Sequence, residues 1–70
     1  MKIRTYELYV EETTSKVNIK EKSEVWINPS QVEYMIPHES FKAYWYLYLV
    51  SGRKLVVNNT TKEIIAKRLL

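Results

Sequence analysis

The residue types that carry most enzyme chemistry are nearly absent from this chain. Its 70 residues include no Cys, no Asp and a single His, His38, so most nucleophile–base and metal constellations lack their parts. His38 precedes Glu39, the one place where an imidazole and a carboxylate are neighbours. Adjacent residues often point apart, and one such pair completes neither a triad nor a metal site without groups brought from elsewhere. The carboxylate pairs Glu11–Glu12 and Glu21/Glu24 sit among polar residues and read as solvated turn charges, because nothing nearby suggests the burial that shifts a carboxyl group. With one Gly there is no glycine-rich phosphate loop. No catalytic residue, cofactor, metal or small-molecule substrate is expected, and a site centred on His38 is the one enzyme reading the residues leave.

What the chain does offer is aromatic and cationic. Six Tyr, two Trp and one Phe make nine aromatics, and four of them fall between Tyr44 and Tyr48. The net charge of +3 is unevenly spread. From Gly52 onward Arg53, Lys54, Lys62, Lys67 and Arg68 stand against Glu63 alone, a local charge of +4, which leaves −1 for the first 51 residues. Cations beside exposed aromatics can hold a nucleic-acid backbone and stack its bases. The plainer interpretation is a solvated helix face beside core aromatics, and no RNP-type pattern, GxxG loop or helix-turn-helix sharpens the signal.

The elements that must position these residues are legible from patterning. Ile3–Val10 reads as a strand with Tyr6, Leu8 and Val10 on one face, and the polar Glu11–Ser15 as a turn. Lys16–Lys20 alternates strictly, with Val17 and Ile19 together, so a hairpin is expected. After the charged Glu21–Glu24, Val25–Ile27 is a short strand, and Asn28–Gln31 turns or forms one helical turn because Pro29 fixes φ and removes a donor. Val32–Ile36 is a strand closed by Pro37, and His38–Lys42 a polar loop. The two short strands flanking the Asn-Pro bend are open to merging.

Ala43–Val50 is apolar or aromatic at every position, as in a central strand covered on both faces. A two-residue Ser51-Gly52 turn returns it to Arg53–Val57, which would set Tyr48 opposite Leu55, Tyr46 opposite Val57, Leu47 opposite Val56 and Trp45 opposite Asn58. Thr60-Thr61-Lys62-Glu63 has the spacing of a capping box, so a helix is expected over residues 60–70, with Ile64, Ile65 and Leu69 as its apolar stripe and Lys67 and Arg68 in its last turn.

The fold class expected is α+β: a small, antiparallel, strongly curved sheet or half-barrel of about five strands with one C-terminal helix. Residues 1–70 form a single domain, divided into an N-terminal hairpin (1–22), the sheet (23–58) and the helix (60–70). One short helix covers one sheet face only. The other face must be buried by curvature, by the hairpin or by another subunit. A chain this short buries about 60% of its unfolded surface, and without staples it needs a dense core or a partner.

Ile27-Asn28-Pro29-x-x-Val32-Glu33, the hairpin ending Ser51-Gly52-Arg53-Lys54-Leu55-Val56-Val57, and Thr61-x-Glu63-Ile64-Ile65 together resemble the FlbD-like small proteins of flagellar and swarming loci. The resemblance covers about the last 45 residues. It implies a compact sheet with a C-terminal helix, and a regulatory or interaction role. The longer N-terminal hairpin and the aromatic strand depart from that family's pattern. The β-β-α ending is also similar to one repeat of a LytTR-type DNA-binding domain.

The expected function is therefore that of a small non-enzymatic interaction or regulatory protein, a homo-oligomer with a dimer as first guess that buries either the Tyr44/Tyr46/Tyr48 face or the Trp45/Leu47/Leu49 face, with Trp26, Tyr44, Tyr46 and Tyr48 as the residues for protein contact. The alternative is a nucleic-acid-binding module using Arg53, Lys54, Lys62, Lys67 and Arg68. The longest uncharged apolar run, Ala43–Val50, is eight residues against the roughly 20 a membrane-spanning helix needs. The N-terminus lacks a signal-peptide core. A cytoplasmic protein without membrane contact is expected.

Overall fold

The computed structural model describes residues 1–69. Five strands and one helix follow one another as β1 (Lys2–Val10), β2 (Val17–Trp26), a 3-10 turn (Pro29–Gln31), β3 (Val32–Pro37), β4 (Tyr44–Leu49), β5 (Lys54–Asn58) and α1 (Asn59–Leu69). The sheet order is β2-β1-β5-β4-β3, and every neighbouring pair is antiparallel. Going round the sheet, strand follows strand in cyclic chain order, with the one break between β2 and β3. The sheet is thus curved but unclosed, and residues 27–31 bridge its open side. The α+β architecture expected from patterning is what forms. No helix among the described residues is long and apolar enough to cross a membrane.

The count of five strands arises differently from the sequence reading. Val17–Lys20 and Val25–Trp26 are parts of one ten-residue strand, β2, with Lys16 and Ile27 just outside it, and the Asn-Pro bend separates β2 from β3 instead of joining them. The charged Glu21–Glu24 continues the strand because β2 lies at a sheet edge, where side chains on either face reach water. At the bend Asn28 Oδ1 accepts from the Ser30 amide at 3.1 Å, Pro29 occupies the first position, and the Gln31 amide donates to the Asn28 carbonyl at 2.8 Å. These contacts close one 3-10 turn and stop the strand.

The β4–β5 register differs by one residue from the two-residue turn expected. Leu49 pairs with Arg53 across a three-residue loop, Val50-Ser51-Gly52, in which the Gly52 amide donates to the Leu49 carbonyl at 2.9 Å and Gly52 has φ +92°. A turn completed by a glycine at positive φ is the usual geometry of three-residue hairpins. The pairs are accordingly Tyr48–Lys54, Leu47–Leu55, Tyr46–Val56, Trp45–Val57 and Tyr44–Asn58. A one-residue slip turns a strand over. Leu55 and Val57 therefore join Trp45, Leu47 and Leu49 on the helix side, while Lys54, Val56 and Asn58 join the tyrosines.

The core is small. Ile3, Val32, Leu47, Val57 and Ile65 are buried, with Met1, Val25, Ile27, Met35, Trp45, Leu49 and Leu55 packed around them. Of the expected helical stripe only Ile65 is buried. Ile64 and Leu69 are exposed. The helix touches the sheet through too narrow a surface, at β4, β5 and the 3-10 turn, to bury a wider stripe. Its cap is also not the Thr60 box. Asn58 Oδ1 accepts the Thr61 amide at 2.9 Å, so the helix begins at Asn59, and the Glu63 carboxylate meets Lys62 instead of reaching back. The expected helix end at Leu70 lies outside the described residues.

Candidate interaction surface

Pairing determines which side chains share the face opposite the helix. Tyr6 pairs with Val56, Val56 with Tyr46, and Tyr46 with Ile36; Tyr34 pairs with Tyr48, and Tyr48 with Lys54. Alternation along β1 adds Lys2, Arg4, Leu8 and Val10 to the same side. Five of the six tyrosines thus lie on one face, and no helix among the described residues covers it.

Their rings form a continuous array. Tyr34 stacks on Tyr48 with centroids 4.5 Å apart and planes 18° apart, and Tyr48 lies 6.4 Å from Tyr46. Tyr46 stacks on His38 at 4.7 Å, His38 meets Phe41 edge-on at 5.2 Å, Phe41 meets Tyr44 at 6.3 Å, and Tyr44 meets Tyr6 at 5.0 Å. These separations suit favourable aromatic pairing. Lys54 Nζ sits 4.8 Å from the Tyr46 ring centroid.

Polar atoms anchor the array from within. His38 is only 5% exposed. Its Nδ1 accepts the amides of Ser40 at 3.0 Å and Phe41 at 3.2 Å, so the neutral ring carries its proton on Nε2, which donates to Tyr46 Oη at 3.2 Å. Asn58 caps the helix through its oxygen and donates its Nδ2 to Tyr6 Oη at 3.1 Å. The surface is therefore preorganised: several rings are held by hydrogen bonds as well as by packing.

The residues expected for protein contact separate into two groups. Tyr44, Tyr46 and Tyr48 are together and half-buried by one another. Trp26 has the same sidedness but sits on β2, at the far edge, 75% exposed, with Lys2 Nζ 5.9 Å from its ring. The ion pairs Lys2–Glu24 and Arg4–Glu21 share its side of the sheet. A shallow hollow of about 240 Å3 adjoins Trp26, lined also by Leu49 and Arg53.

The five cations do not form one patch. Lys54 lies on the tyrosine face, whereas Lys62 packs on the helix side, its Nζ 4.3 Å from the Trp45 ring centroid and 3.2 Å from Glu63. Arg53 flanks the β4–β5 turn, and Lys67 and Arg68 are in the last helical turn. Linear clustering of charge became dispersal because the helix doubles back over the opposite face.

His38 and Glu39 do not act as a pair: His38 is buried with both ring nitrogens engaged, and Glu39 is exposed. Glu11 accepts from Thr14 and Asn18 within the hairpin turn, and Glu21 and Glu24 are ion-paired. No group of three metal-ligating side chains occurs among the described residues. Tyr6, Tyr34, His38 and Phe41 are the members of the array that patterning missed. Tyr6 carried a usable signal in its alternation. Comparison with protein-family models, with curated proteins and with solved structures finds no match to this chain.

Proposed function

We propose that this chain is a small, non-enzymatic interaction or regulatory protein that self-associates through its tyrosine-rich sheet face. The observation that carries this reading is the unbroken array of seven rings on the face that the single helix leaves uncovered. Tyrosine gives large, rigid contact area at low entropic cost and leaves a hydroxyl for the partner, which is why it is favoured at protein interfaces. The sheet edges favour face-on over edge-on association. β2 is charged and bulged at Lys22, and β3 is bulged at Glu33 and ends on Pro37, all features that discourage strand addition. A regulatory role, as the FlbD-like resemblance implies, and a cytoplasmic setting belong to the same proposal. Sedimentation equilibrium tests it: a dimer is expected at tens of micromolar, and a monomer there contradicts the self-association.

The second reading, nucleic-acid binding through Arg53, Lys54, Lys62, Lys67 and Arg68, is favoured by one contact, Lys54 over Tyr46. Against it, the five cations lie on different sides of the sheet, and Tyr34, Tyr48 and Tyr46 each have one ring face already taken by a neighbouring ring. Titration with generic DNA and RNA at two salt concentrations discriminates. Binding that weakens steeply with salt supports the second reading; none at low salt removes it.

A further inference from the structure

β1 outruns β5 while staying paired with β2 along its whole length. Its one pairing with β5 is Tyr6–Val56, so Glu7–Val10 and the paired Val17–Lys20 continue as a two-stranded ribbon, and the molecule measures 43 Å along one axis against 20 Å along the others. An isolated two-stranded ribbon is marginal in water. This one is also apolar on one side: Leu8, Val10 and Val17 are exposed, with Ile19 opposite Leu8. By alternation that side is the tyrosine side. Six of the ten exposed large apolar residues, Leu8, Val10, Val17, Trp26, Tyr34 and Ile36, belong to this one face.

We infer that the partner on the tyrosine face is a second copy of this chain, and that the ribbon of each copy lies across the aromatic array of the other. The inference rests on the self-association reading above. Four observations favour a second copy over a different protein. One face carries an aliphatic strip at its ribbon end and an aromatic array on its body, so a twofold axis across it sets each against the other, as an isologous interface requires. The 43 by 20 Å outline of the molecule bounds this face at roughly 800 Å2, room enough for the about 800 Å2 per partner of a stable complex. The ion pairs Lys2–Glu24 and Arg4–Glu21 neutralise four charges on this face, which lowers the repulsion between two copies. Finally, a core of five buried residues needs cover at all times, and an identical chain is the partner always present.

The test is complementation by sedimentation equilibrium. One variant, Val10→Lys/Val17→Glu, removes the aliphatic strip while an opposite-charge pair preserves the cross-strand contact. The other, Ile36→Glu, alters an exposed position on the array side. Each alone is expected to weaken dimerisation by about tenfold or more. An equimolar mixture is expected to form a heterodimer tighter than either variant homodimer, since it restores one intact ribbon-to-array contact. Circular dichroism checks that each variant is folded, and Leu8→Thr is the substitute ribbon variant if the double change is not. A ribbon variant that dimerises as tightly as the unaltered chain overturns this inference and leaves self-association standing. A monomeric unaltered chain overturns both.

Discussion

His38 shows how a residue can look chemical in one dimension and be architectural in three. Next to Glu39 it suggests a general base; folded, its ring closes the 38–42 loop by accepting two amides and props Tyr46 with its other nitrogen. Replacing it with Ala leaves those partners unsatisfied, so His38→Ala is expected to cost about 1–3 kcal/mol in urea denaturation and to lower dimer affinity through loss of the Tyr46 support. Asn58 has a similar double role. Asn58→Ala removes a helix cap, for about 1 kcal/mol, and also frees the Tyr6 hydroxyl. Asn58→Asp keeps the cap and loses only the donor to Tyr6, so it is expected to be the milder change by thermal unfolding. Leu47, fully buried beneath the helix, should show the largest loss: Leu47→Ala is expected to cost about 2–5 kcal/mol.

At the scale of elements, turn chemistry decided more than strand patterning did. Ala43–Val50 was legible as a strand, formed over Tyr44–Leu49, because its residues are apolar on both sides, but the helix covers only its Trp45, Leu47 and Leu49 side; the two hairpins were legible from their polar breaks. Register was not. Ser51-Gly52 reads as a two-residue turn, and only the Leu49–Arg53 pairing reveals a loop one residue longer, which exchanges the two faces of β5. The tyrosine face could be named through Tyr44, Tyr46 and Tyr48, but Tyr34 and Phe41 join it through non-local pairing and loop closure that no local pattern encodes. The separation of the cations was equally hidden, because it depends on which face the helix returns over. Gly52 carries the turn by its backbone alone: a Cβ there meets nothing within 4 Å, yet φ is +92°. Gly52→Val is therefore expected to destabilise by about 1–3 kcal/mol through strain, with Gly52→Asn less costly, and denaturation midpoints order the two.

At the scale of the whole molecule, the short chain, the small core and the exposed aromatic face have one common explanation. Among the described residues the sheet has a helix for one side and only the short 38–42 loop for part of the other, and its projecting ribbon is an element with little to pack against. A second copy supplies both deficits. Stability then depends on concentration, because a partner that binds only the folded chain shifts unfolding by mass action, and a hundredfold rise in concentration above the dissociation constant is worth about 2.7 kcal/mol per dimer. The most direct measurement is the urea midpoint of the unaltered chain at about 1 and about 100 μM. The account predicts a clearly higher midpoint at the higher concentration; the same midpoint at both would contradict it.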